Sequence, residues 1–586
     1  MRSSQKELMG AKEAKNFEKT KPILYTSPMQ SKAIDVVIKR YGSIMRAFII
    51  KGENAKPRIR RQNTRGKNMK HKIFIQFFIW LFHLTYLRES RLIAWRDVAG
   101  QDSTPLPPTQ NLKNPMLQNL NPQNPMPKNL KNLKAPPILP RAKSIKLDST
   151  CRYLALLSHR NGALDGWVYG RFIPRFVYMM ARQLHRFWWL RVIFPGIAIT
   201  RQKDDPAHYK KANLRSIKAC VQALQERKIL CVFPEGTSAL KHRHLPFEQG
   251  AARLALMSQK AALESANNLR QKSSQELSGA ELSKIEWAKS SKAESHKIES
   301  SGAKASKAPL YILPMSVFYD DPALLGGRAF VVYDEPFLCP SDLDLPRLHA
   351  LFTHRLERIL LEYESQEQQE LSHFFASFLS ANTAFSDYYA NLVWLKNLQN
   401  VALDSHNSHR FRAILHLIQA YRKSPLPALY KRAPIYPQSL PLSLWTFSIC
   451  LPVVALSLVL NLLPLLCGYL AAKCFAKESH TISLWKAIVG YGVGFIWWGG
   501  VLLASGLGGA FAMGRDFAGQ APVLDSLCGG GGGILCALAA CGLGLWGLKL
   551  YGALKKHTIA LYNACFHRKK LSAYQLFKTK LLEILR

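Results

Sequence analysis

Tyr153-Leu154-Ala155-Leu156-Leu157-Ser158-His159-Arg160-Asn161-Gly162-Ala163-Leu164-Asp165-Gly166 sets an apolar run of strand length directly before a Gly-containing loop that carries a histidine and an aspartate. The run reads as a short buried strand. His159 and Asp165 therefore leave the end of a strand, where α/β folds usually place their chemistry. An imidazole has an unperturbed pKa of about 6.5, and a carboxylate beside it fixes its tautomer and stabilises the imidazolium. The pair is the minimum equipment for general-base catalysis on a hydroxyl. Alone it is weak evidence, because the chain has 17 histidines and a nearby carboxylate is common.

Outward from this stretch the pattern stays α/β from 145 to about 363. Strand-length apolar runs recur at 197–200, 229–233, 310–313 and 329–333, with helical periodicity at 209–227 and 247–257. A Ser/Lys/Glu/Ala-rich stretch at 258–308 holds almost no large apolar residues and reads as a solvated, mobile insert. Pro346 to Glu364 makes an amphipathic helix that closes a domain over 145–364. A helical connector over 365–435 follows, with helices at about 386–402 and 409–422.

Ahead of the domain, residues 104–144 are rich in Pro, Asn, Leu and Lys, and Asn114-Pro115-Met116 recurs as Asn124-Pro125-Met126. Such a stretch forbids a regular element and reads as a linker. Residues 1–103 form a basic N-terminal region. Within it, 73–87 is apolar and aromatic but short of the ~20 residues a spanning helix needs, so it reads as a helix lying in a membrane interface. The polar, basic first 70 residues do not resemble a signal peptide.

The net charge of +42 suits nucleic-acid phosphates or an anionic membrane surface. No helix-turn-helix pattern or aromatic-basic RNA motif supports nucleic acid. The eleven cysteines show no CxxC pair and no Cys/His ligand spacing, so neither a disulfide framework nor a metal site is expected. Membrane segments are expected over 440–550. Leu440 to Ala472 carries Pro452, Asn461 and Pro464, and reads as a re-entrant hairpin. Two spans, Ala487 to Phe511 and Gly529 to Leu548, follow it. This arrangement keeps the basic flanks, including Lys473, Lys486, Lys549 and the basic tail at 551–586, on the cytoplasmic side.

Three further blocks follow the His-Asp stretch. They are Pro195-Gly196-Ile197-Ala198-Ile199-Thr200-Arg201, then Val232-Phe233-Pro234-Glu235-Gly236-Thr237-Ser238 running into Leu245-Pro246-Phe247-Glu248-Gln249-Gly250-Ala251-Ala252-Arg253, then Tyr311-Ile312-Leu313-Pro314-Met315. In order and spacing the set resembles the glycerolipid acyltransferase family. The Phe-Pro-Glu-Gly-Thr block is its most specific part. The resemblance implies an α/β acyltransferase domain, a mixed sheet flanked by helices, ahead of an all-α transmembrane C-terminal region. It implies His159 as general base oriented by Asp165, and Arg201 with Lys203 on the acceptor phosphate. Glu235, Gly236, Thr237 and Ser238 would shape the acceptor site, and Pro314 would lie near the thioester carbonyl. No metal or other cofactor is implied, since acyl-CoA or acyl carrier protein is a donor substrate.

Two departures stand out. The family has four residues between His and Asp, and this chain has five, Arg160 to Leu164; Gly162 is the residue able to absorb the extra one as a bulge. The family often has Arg after Glu-Gly-Thr, where Ser238 stands here, with Lys241, His242 and Arg243 just downstream. The expected acceptor is 1-acylglycerol-3-phosphate, with glycerol-3-phosphate or dihydroxyacetone phosphate as the alternative. A protein that keeps the fold and only binds lysolipid is the rival of another class.

Overall fold

A computed structural model describes residues 75–99, 142–283, 308–427, 433–513 and 530–585, less short interruptions at 78, 84–85, 143, 183–190, 192–195, 202–203, 322–326, 401–404 and 477. The basic region before 75, most of the 104–144 linker and the 514–529 loop lie outside the described residues.

The strands are β1 (Leu87–Ala94), β2 (Arg152–Leu157), β3 (Phe176–Ala181), β4 (Gly196–Ile199), β5 (Ile229–Val232), β6 (Leu310–Tyr319), β7 (Gly327–Tyr333) and β8 (Phe337–Leu338). They form one sheet in the order β1-β7-β6-β2-β5-β3-β4, with β8 beside β6. The run from β6 through β2, β5 and β3 to β4 is parallel, whereas β7 and β8 pair antiparallel to β6. The sheet is mixed, and helices cover both faces. Strands buried on both sides read as continuous apolar runs, which is why 153–157 shows no polar alternation.

Side chains of a strand alternate between faces, and β2 shows the division. Tyr153, Ala155 and Leu157 join a core that includes helix α1 (Leu164–Gly170). Leu154 and Leu156 face the opposite core, closed by α2 (Tyr209–Gln225), α3 (Gly250–Ser283) and α4 (Leu345–Glu357). A third core joins α5 (Gln366–Asn382), α6 (Tyr388–Asn400), α7 (Ser405–Lys423) and the C-terminal helix α12 (Leu571–Leu585).

The structure departs from the sequence expectations at three places. The sheet recruits β1 from ahead of the expected boundary at 145. The apolar stretch before it is helical at 75–77 and 79–83, and buries Ile75, Ile79 and Phe82 in the sheet's core. Helix α3 continues to Ser283, so the first half of the 258–308 stretch is helix; 284–307 lie outside the described residues.

The third place is the membrane region, with α8 (Leu440–Leu460), α9 (Leu462–Phe475), α10 (Ile482–Met513) and α11 (Gly530–Phe566). Three helices are long and apolar enough to cross a membrane, over Leu440–Leu460, Ser479–Ser505 and Leu535–Phe566. The expected hairpin thus contains a helix, α8, of spanning length on its own, and α11 runs on into the expected tail.

The chain breaks at Asn461 for a local reason. Pro464 has no N–H to give the Leu460 carbonyl. That carbonyl instead accepts from the Trp497 indole at 3.0 Å, while Trp498 donates to Asn461 Oδ1 at 3.1 Å. From there α9 returns antiparallel to α10, with Gly468 so close to the Lys486 carbonyl that a Cβ would stand 2.8 Å from it. Small residues allow this approach between apolar helices. On the other side α8 runs antiparallel to α11, Ser457 donating to the Gly544 carbonyl and Asn563 to the Ile435 carbonyl.

One buried ion pair ties the sheet edge to the helical connector. Arg91 of β1 donates to Asp387 Oδ2 at 2.8 Å, and the other carboxylate oxygen caps α6 through the amides of Tyr389 and Ala390. Arg91→Ala breaks this buried pair, a loss of about 3–5 kcal/mol. The detergent-solubilised variant should unfold at a clearly lower temperature. An unchanged transition would remove the pair from the account of stability.

Candidate active site

The parallel pairing of β2 and β5 brings two of the sequence blocks together. Leu156 lies beside Val232, and three residues beyond each stand His159 and Glu235. Both leave the carboxyl ends of adjacent strands, and their loops lie side by side. Glu235 joins them: its Oε1 accepts from the His159 amide at 2.7 Å and its Oε2 from the Leu245 amide at 3.2 Å. Burial raises the Glu235 pKa, opposed by His244 and by these amide bonds.

The side chain of His159 is fixed from two directions. Its ring stacks on Phe233, with centroids 4.3 Å apart, and its Nδ1 lies 2.9 Å from Asp165 Oδ2. A carboxylate only accepts, so Nδ1 carries the proton and Nε2 keeps the lone pair. Asp165 is wholly buried. Its Oδ2 also accepts from the amides of Arg160 at 2.7 Å and Asn161 at 2.9 Å, and its Oδ1 from the Tyr319 hydroxyl at 2.6 Å. Four donors thus offset the desolvation of one carboxylate. The Arg160 guanidinium donates to the Lys241 carbonyl at 2.6 Å. Burial lowers the Arg160 pKa, and the charges of Glu235 and Asp165 work against that.

Within the five residues between His159 and Asp165, Gly162 takes a left-handed conformation, with φ +56°. In that left-handed turn the chain wraps its amides around the carboxylate and still delivers Asp165 to the first turn of α1. The His-Asp contact therefore survives the longer spacing.

His159 opens onto a cavity of about 560 Å³. Gly236, with φ +65°, Thr237 and Ser238 line it. Arg201 also lines it, held at the end of β4 because Asn213 of α2 clasps the Thr200 amide and carbonyl, both at 2.8 Å. Its guanidinium is forked onto Asp204, at 2.7 and 3.1 Å. The guanidinium expected to hold the acceptor phosphate is thus paired with a carboxylate; Lys203 lies outside the described residues.

Other expectations are placed elsewhere. Glu235 turns to backbone amides and is not among the cavity's lining residues. Pro314 sits within β6 beside Leu156 of β2, its carbonyl accepting from the Asp334 amide at 3.0 Å, away from the lining. The loop with Lys241, His242 and Arg243 packs on Glu362 and Tyr363 and does not reach the cavity.

The sequence reading missed the far wall. Glu478, His480, Leu484, Trp485 and Ile488 line the cavity from the start of the Ser479–Ser505 span, and the His480 carbonyl lies against Gly162. A run of apolar residues more than 300 positions downstream of His159 gives no local signal of this contact. Among the described residues no group of three or more His, Cys, Asp or Glu side chains is placed to hold a metal ion.

Gly162 of the loop and Gly166 of α1 respond oppositely to an added methyl group. Gly162→Ala forces an L-residue into the left-handed region, at about 1–2 kcal/mol, and should lower the thermal transition. Gly166→Ala adds a Cβ at an ordinary 3.5 Å from the Tyr178 ring, within a helix where Ala is favoured by about 1 kcal/mol over Gly. It should hold or raise the transition. Equal shifts would contradict the role given to Gly162.

No curated protein matches the chain. Residues 142–263 match the family model described as Acyltransferase, a span that runs from just before β2 into α3 and takes in His159, Asp165 and Glu235. That segment is an acyltransferase domain, consistent with the glycerolipid acyltransferase family.

Proposed function

We propose that the protein is a membrane-bound O-acyltransferase that moves a fatty acyl group from an acyl thioester to the free hydroxyl of 1-acylglycerol-3-phosphate. The observation that carries this reading is the His159–Asp165 contact at 2.9 Å, at the mouth of a largely apolar cavity within an acyltransferase domain. A non-catalytic lysolipid binder was suggested only by the longer His-Asp spacing, and that spacing leaves the contact intact.

The residues support a general-base sequence. His159 Nε2 takes the hydroxyl proton while that oxygen attacks the thioester carbonyl. Asp165 holds the ring and stabilises the imidazolium that forms. The C–S bond then breaks, the thiolate takes the proton back from Nε2, and an ester and a free thiol leave. Arg201, with Lys203 close in sequence, supplies positive charge for the acceptor phosphate; the Asp204 pair moderates that charge. The donor, acyl-CoA or acyl carrier protein, brings no resident cofactor.

The location follows from charge. Lys473 stands in the last turn of α9, Lys486 near the start of α10, and the basic run 568–570 just after α11, and basic helix ends favour the cytoplasmic leaflet. The surplus of +42 suits anionic lipid there.

Membranes carrying the protein should convert lysophosphatidate and a labelled acyl thioester into labelled phosphatidate. His159→Ala should lower the rate by about 10²–10⁴-fold. Label appearing only with glycerol-3-phosphate, in lysophosphatidate, would move the acceptor one step earlier. Transfer that persists in the His159→Ala protein would overturn the mechanism.

A further inference from the structure

The cavity at His159 has an apolar end that the proton-transfer reading does not use. Trp167 of α1 and Phe176 of β3 form one side, and Leu484, Trp485 and Ile488 of α10 form the other. The α10 side is a stripe: Leu484, Ile488 and Tyr491 stand at i, i+4 and i+7 on one helix face. All three pack on the core that also holds Trp167, and Ala487 is buried within it. The stripe continues to Phe495, whose ring meets Phe77 at 6.2 Å. One end of this wall touches the His159–Asp165 loop at Gly162 through the His480 carbonyl, and the other runs into a helix long and apolar enough to cross a membrane.

We infer that α10 is the specificity element of the active site, its Leu484–Ile488 stripe receiving an aliphatic chain and setting the length accepted. The inference rests on the acyl-transfer reading and deepens it. The family-matched segment ends at 263, so the wall is added by this chain's own membrane region. An aliphatic chain fits because the wall is apolar, opens at the reactive imidazole and extends along a helix that can lie in lipid. The chain belongs either to the donor thioester or to the lysophosphatidate acceptor.

Each buried methylene contributes about 0.8 kcal/mol, or about a fourfold change in kcat/KM. A tryptophan at 484 or 488 that displaces three methylenes should therefore lower the long-chain to short-chain ratio of kcat/KM by about 60-fold. The test uses the full chain in membranes, with Leu484→Trp, Ile488→Trp and the cavity-widening Ile488→Ala. One arm varies donor chain length at a fixed acceptor, and the other varies acceptor chain length at a fixed donor. The ratio should fall in the tryptophan variants and rise in Ile488→Ala, in one arm, which identifies the chain. Ratios unchanged in both arms would overturn the inference while leaving acyl transfer intact.

A fatty acyl thioester and a lysophosphatidate, each bearing a terminal diazirine on its chain, give a readout without turnover. One of the two should label the peptide containing 484–488, and its unlabelled counterpart should compete. Labelling confined to other peptides with both probes would overturn the inference. Absence of turnover in the unmodified protein would instead count against the acyl-transfer reading, with the photolabel still deciding the wall.

Discussion

The bond from His159 Nδ1 to Asp165 Oδ2 is the constraint around which the domain is arranged. It places a charged carboxylate wholly inside the protein, and that charge has to be met on every side. The Arg160 and Asn161 amides and the Tyr319 hydroxyl meet it. Tyr319 ends β6, the amides come from the loop after β2, and α1 carries the aspartate itself. The pairing of β2 with β6, with Leu157 beside Met315, holds these donors in one place. Glu235 applies the same logic one strand over, clasping the His159 amide from the end of β5. The imidazole is thereby held by packing and hydrogen bonds before any substrate arrives, as a preorganised site requires.

The second feature of the molecule is that its membrane region is part of the same core. Ala487 of α10 is buried with strand residues such as Ala155 and Leu157. The fold of α8 and α9, turned at Asn461 by Pro464, brings the start of α10 back against the His159 loop. At the other end, α12 returns from α11 to pack on α5, α6 and α7. The cavity at His159 thus lies where the sheet and an apolar helix share a wall. That position matches substrates with one charged and one aliphatic end.

Much of this was legible in the sequence, and the reasons differ by residue. The central strands were readable because both their faces are buried, which leaves uninterrupted apolar runs such as 153–157. The His-Asp block and the Phe-Pro-Glu-Gly-Thr block were readable because each is short and local. Their meeting was not, because it depends on the β2–β5 register. β1 was hidden by Arg88, Glu89 and Arg91 within an eight-residue strand; the buried Arg91 pairs with Glu89 beside it and with Asp387, far along the chain. Arg201 and Asp204 were three residues apart in plain view, yet only the structure shows the fork that pairs them. The wall from 478 to 488 was beyond any local pattern, since a helix that lines a cavity and one that faces lipid have the same apolar composition.

The most direct test of the central claim is the rate of acyl transfer by the Asp165→Asn protein. The amide oxygen can still accept from the His159 ring and the loop amides, and the amide N–H₂ can donate to the Tyr319 hydroxyl. Fold and ring position are therefore kept while the charge that stabilises the imidazolium is removed. A loss of about 100-fold or more in kcat with an unchanged thermal transition is the predicted result. Full activity in that variant would contradict the account, because the buried carboxylate would then serve the fold and not the reaction.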